Sequence, residues 1–119
     1  MNKLIITGII LTLLDMIYLK FASLHFAPLI NIIQGSELKL DLISTILAYI
    51  VIVFSLYYFI IRENRSVFDA MLLGWSIYFI YDLTNKALIK KWQWKTVLID
   101  GIWGGILYGL TTYIVYYLR

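Results

Sequence analysis

The chain has 119 residues, 62% of them hydrophobic and 14% charged, with a formal net charge of +3. Soluble domains carry about 45–50% apolar and about 25% charged residues, and a small fold keeps too much surface to hide such an excess. The composition excludes a soluble enzyme, a disordered chain and a nucleic-acid binder. The lack of any Cys excludes disulfides and thiolate metal sites.

A membrane-crossing helix needs about 20 apolar residues, and the chain offers four such runs. The first covers about residues 4–21, behind Lys3, and is interrupted by Asp15. Its beginning resembles a signal peptide, but Lys20 falls where cleavage needs a small residue, so a retained span is expected. The stretch that follows is too apolar for a free loop. Phe26, Pro28, Ile32 and Ile33, ahead of Gln34, Gly35 and Ser36, predict a short interfacial helix over residues 24–34, lying on the membrane. The second span covers about residues 40–61 and has no charge after Asp41. Beyond Ser44, Thr45 and Ser55 it is almost purely apolar, which leaves no visible polar path across a bilayer. Arg62 to Arg65 form a tight turn, and Ser66 with Asp69 gives an S-x-x-D helix start. The third span covers about residues 67–85. A basic loop from Lys86 to Lys95 carries Trp92 and Trp94, which suit the headgroup level, before a fourth span over about residues 96–118.

The expected fold is all-α: a single transmembrane domain over residues 1–119, built as a four-helix bundle with a short interfacial helix between spans one and two. Four spans put both termini on one membrane side. Lys3, Arg62, Arg65 and Arg119 lie on that side, against Lys20, Lys39, Lys86, Lys90, Lys91 and Lys95 on the other. The positive-inside rule then places both termini outside.

The carboxylates carry the functional information. At about 1.5 Å rise per residue, Asp15, Asp82 and Asp100 fall at similar depth, roughly 6–8 Å inside the same interface. Tyr18 shares a face with Asp15, and Trp103 and Gly104 share one with Asp100. Tyr78 and Asn85 share a face with Asp82, flanked by Tyr81 and Thr84, with Gly74 below. An ionisable residue inside a membrane is a functional-site hypothesis by default. The competing reading is interhelical hydrogen-bond glue. Asp15, Asp82, Asn85 and Asp100 are expected to converge, and three carboxyls so placed call for a shared proton or a cation. Oxygen ligation of a hard cation is the weaker of these. With His25 as the single histidine and no nucleophile elbow or phosphate loop, the sequence identifies no catalytic residue, and no metal or cofactor is expected. Gly101, Gly105 and Gly109, at i, i+4 and i+8, form with Gly104 a face for close helix packing, expected within the chain rather than between copies.

Tyr81-Asp82-Leu83-Thr84-Asn85, followed by Ala87 and Trp92 and then by Asp100-x-x-Trp103-Gly104, resembles the domain of unknown function family 2177. Leu14-Asp15-x-x-Tyr18-Leu19 resembles that family's early Leu-Asp-x-x-Trp-Leu segment, with Tyr in place of Trp. The resemblance covers essentially the whole chain. It implies a four-span membrane protein of bacteria or large DNA viruses and supplies no reaction. Three readings follow. The leading one is a structural or partner-binding membrane component, of a bacterial cell membrane or of a viral internal membrane as a virion protein. Its partners would be the lipid bilayer and a second copy or another membrane or capsid protein, with no nucleic acid. The others are an ion or proton transport element using the aspartates, and an interfacial lipid-modifying enzyme, which the lack of a strong nucleophile weighs against.

Overall fold

A computed structural model describes residues 2–35 and 41–118, whose regular elements are four α-helices and one π-helical segment. Ser36, Lys39, Leu40 and Arg119, which enter the expectations above, lie outside the described residues. Helix α1 spans Lys3–Gln34 and is 32 residues long. Asn2 caps it, its side chain accepting from the Leu4 N–H at 2.7 Å.

Residues 24–34 are helical, but they are the last turns of α1 and not a separate element. Pro28 removes one donor and crowds the carbonyl of Leu24, yet the helix runs on to Gly35. There φ turns to 72°, and the Gly35 N–H donates to the Asn31 carbonyl at 2.8 Å. Nothing before Gly35 forces a turn. Tertiary packing decides the rest: Leu29, with Phe26, Ile30 and Ile33, packs on Trp92, Val97, Phe79 and Ile89. The segment therefore lies against the α3–α4 end of the molecule. A helix of 32 residues is about 48 Å long, beyond the roughly 30 Å hydrocarbon core; the longest dimension of the molecule is 46 Å.

Helix α2, Leu42–Leu56, passes into a π-helical segment, Tyr57–Ile61. There the Arg62 N–H reaches the Tyr57 carbonyl at 2.8 Å and the Arg65 N–H reaches that of Ile60 at 2.9 Å. Asn64 closes the turn at φ 53°, a left-handed conformation that Asn tolerates. Helix α3, Val67–Leu88, starts where the Ser66 side chain accepts from the Asp69 N–H at 3.0 Å. Helix α4 covers Trp94–Leu118. The basic loop thus shrinks to residues 89–93, because α3 runs past its expected end and α4 begins before its expected start.

Three helical stretches are long and apolar enough to cross a membrane: α1, α2 with its π-helical end, and α4. Helix α3 has the length, at 22 residues, but Asp69, Asp82, Asn85 and Lys86 dilute its apolar character.

The tightest pair is α3 with α4, and glycine makes it so. A Cβ added to Gly74 would sit 2.1 Å from the Gly104 carbonyl oxygen, so the two backbones touch there. Gly101 faces Phe79, Gly105 faces Trp75 and Gly109 faces Met71. The glycine face of α4 is therefore filled by α3 of the same chain. Helix α1 packs on α4, and α2 packs mainly on α1. Leu11, Leu56, Ile61, Leu107 and Tyr108 form the buried centre. Large apolar side chains such as Leu13, Ile17, Ile43, Val51, Ile80 and Ile106 point outward, a surface suited to lipid.

Candidate functional site

Helices α1 and α4 run antiparallel, and each carries an aspartate followed three residues later by an aromatic donor. An antiparallel crossing pairs such motifs reciprocally. The Trp103 indole N–H donates to Asp15 Oδ1 at 2.9 Å, and the Tyr18 hydroxyl donates to Asp100 Oδ1 at 3.2 Å. The two aromatic rings stack between these bonds, with centroids 4.6 Å apart and planes 4° from parallel. The other oxygen of Asp15 accepts from the Tyr49 hydroxyl on α2. One carboxylate, 6% exposed, thus ties α1, α2 and α4 together. Hydrogen bonds between membrane helices contribute about 0.6 kcal/mol on average and at most about 1.7 kcal/mol each.

Asp82 differs. It is fully buried, and neither of its oxygens has a hydrogen-bond donor. Its neighbours are the carboxyl of Asp100 and the indole of Trp92, and the Trp92 Nε1 is itself buried without an acceptor. Tyr78 lies over Gly104, where any side chain on that residue would collide with its ring. Tyr81 is exposed and meets Trp92 edge-on at 6.4 Å. Thr84 faces outward, and Asn85 is half-buried; neither joins the hydrogen bonds that link the aspartates.

The layer sits on two levels. Asp100 is about 9 Å into α4, and Trp103, with Asp15 opposite, about 14 Å in, at 1.5 Å per residue. Asp15 is thus about one helical turn further along the bundle axis than Asp100. A cavity of about 380 Å³ opens between α2, α3 and α4, lined by Ala48, Ile52, Ile77, Tyr78, Tyr81 and Asp100. A larger groove of about 490 Å³ between α1 and α2 is lined mainly by Ile and Val side chains and includes neither Asp82 nor Asp100.

Several participants escape a reading of the sequence. Tyr49 gave one signal, an aromatic hydroxyl midway along an otherwise apolar run. His25 is part of α1, and its Nε2 pairs with the Thr96 hydroxyl of α4 at 2.6 Å. Tyr108 donates to the Ile52 carbonyl at 3.0 Å and pairs with the Ser55 hydroxyl at 2.7 Å. Thr7, Thr111 and Thr112 are also fully buried. Buried hydroxyls therefore continue along α4 from the aspartates toward the termini, a feature hidden when α2 alone is inspected. Among the described residues, no three acidic, His or Cys side chains are grouped to hold a metal ion.

A family model described as a predicted membrane protein, DUF2177, matches residues 1–117, and the chain belongs to that family. No curated protein and no solved structure matches the chain significantly.

Proposed function

We propose that this member of the DUF2177 family is a four-span integral membrane component whose Asp15 node is an interhelical clamp, and that it acts as a structural or partner-binding protein. The observation that supports this reading best is the complete use of Asp15: both oxygens accept, from donors on two different helices. A carboxylate so occupied is held in place and holds its partners in place, which suits glue and not turnover. In this reading α3 is the fourth span, sheltered by α4, and both termini share one side with the Arg62–Arg65 turn. The outward apolar faces of α1 and α2 meet lipid and a second copy or another membrane protein.

The buried hydroxyls of Tyr108, Thr111 and Thr112 favour one competitor, a proton or ion transport element. Reconstitution into liposomes loaded with a pH-sensitive dye separates the two. The structural reading expects proton and potassium flux equal to that of protein-free vesicles. Flux above that level, lost in Asp100→Asn, would replace it with transport.

A further inference from the structure

Asp15, Asp82 and Asp100 make no ion pair among the described residues, where the only salt bridges join Arg62 to Glu63 and Arg65 to Asp69 at the surface. The nearest cation along α3, the Lys86 ammonium, lies over the Trp94 ring at 5.6 Å. Three carboxyls are thus gathered inside the molecule without a positive partner among the described residues. Asp15 is satisfied by its two donors. Asp100 has one donor, Tyr18, and Asp82 behind it has none. The cavity between α2, α3 and α4 ends on Asp100 and is otherwise walled by Ala48, Ile52, Ile77 and the rings of Tyr78 and Tyr81. Ala48 of α2 and Tyr81 of α3, which line it, are exposed, so it opens sideways between these two helices.

We propose that this cavity binds an amphiphile with a primary ammonium head, the ammonium seated on Asp100 with Asp82 behind it and the hydrocarbon chain lying in the crevice between α2 and α3. Three features select that chemistry. Two adjacent buried carboxyls with one donor between them attract a cation and repel a phosphate head. The apolar walls match a hydrocarbon chain and offer no ring of oxygens for a hydrated metal ion. A site of about 380 Å³ is of the size that small-molecule ligands use, enough for a single chain near its head. An alkyl amine, with a pKa near that of Lys at about 10.4, is charged at neutral pH. The site adjoins the Asp15 clamp through the Tyr18–Trp103 stack but does not include Asp15 or Tyr49, so Tyr49→Phe tests the clamp without removing a group from the cavity.

The test is binding to the full chain in nanodiscs of zwitterionic lipid, with dodecylamine as probe and dodecanol as its uncharged counterpart, read by calorimetry and by thermal shift. Saturable dodecylamine binding at least ten-fold tighter than dodecanol, lost in Asp100→Asn and kept in the surface variant Asp69→Asn, is the expected result. Ala48→Trp, which narrows the mouth and leaves both carboxyls in place, should weaken amine binding as well, and it decides the matter if Asp100→Asn does not fold. Equal affinity for amine and alcohol, or an amine affinity unchanged in Ala48→Trp, would overturn the proposal as simple partitioning. Stabilisation by magnesium chloride but not by dodecylamine would overturn it in favour of an inorganic cation.

Discussion

Replacing Gly74 with Ala is the sharpest perturbation of the fold, because the new methyl meets backbone and not a side chain that could turn away. Its Cβ would lie 2.1 Å from the Gly104 oxygen and 2.7 Å from the Gly104 carbonyl carbon. Close C···O contacts settle at about 3.3–3.6 Å, so α3 and α4 must part by roughly 1 Å. A gap of that order forfeits about a quarter to a half of each dispersion contact along the seam. The seam includes Phe79, Trp75 and Met71 on their facing glycines. Overpacking costs about 1–3 kcal/mol in ordinary cores. A clash between two helix backbones belongs at the upper end, near 3 kcal/mol. The better helix propensity of Ala returns about 1 kcal/mol, leaving a net loss of about 2 kcal/mol. Gly8→Ala is the control, since its Cβ would meet only Val53 Cγ1, at an ordinary 3.6 Å; it should gain up to about 1 kcal/mol. Equilibrium unfolding in detergent micelles, followed by circular dichroism, should separate the two variants by about 3 kcal/mol. Equal stabilities, or a larger loss in Gly8→Ala, would refute the glycine seam as the source of the α3–α4 contact.

Three further outcomes follow from individual residues. Asp82→Asn removes a buried carboxyl that has no donor and should stabilise the ligand-free protein by about 1 kcal/mol or more in the same titration; a loss would mean that the carboxyl has a required partner. Thr96→Val breaks the bond to His25 and should cost about 0.5–1.5 kcal/mol, with faster hydrogen exchange over residues 24–34, measured by mass spectrometry. Pro28→Ala restores a donor for the Leu24 carbonyl and should raise stability, since an interior proline costs a helix about 3 kcal/mol; a drop would show that the packing of Leu29 on Trp92 depends on the proline.

The sequence made the helical class legible because run length and hydropathy are local quantities. The pairing of Asp15 with Asp100 was half legible. The i, i+3 spacing of each Asp and its aromatic residue put them on one face, and shared depth put the two helices level. Which donor goes to which acceptor depends on rotation about each helix axis, and that is set by packing. Rotation is also why Thr84 and Asn85, one turn from Asp82, do not join the network, while Tyr49, with no neighbouring charge to mark it, does. Pro28 and the polarity of Lys20 suggest boundaries, yet α1 runs on through both to Gln34. Neither outweighs the burial of Leu29 against Trp92 and Val97. The glycines of α4 announced a close approach, but Trp75, Phe79 and Met71, which fill it, carry no such signal.

Asp15 joins three helices, and a double-mutant cycle between Asp15→Leu and Tyr49→Phe measures that directly. Each single variant removes the α1–α2 bond. The other oxygen of Asp15, on Trp103, is lost only in the first, so the cycle isolates the Tyr49 contact. Unfolding free energies in micelles should show a coupling of about 1 kcal/mol or more, in the upper part of the range for hydrogen bonds between membrane helices. Additive effects, with a coupling below about 0.3 kcal/mol, would contradict the clamp.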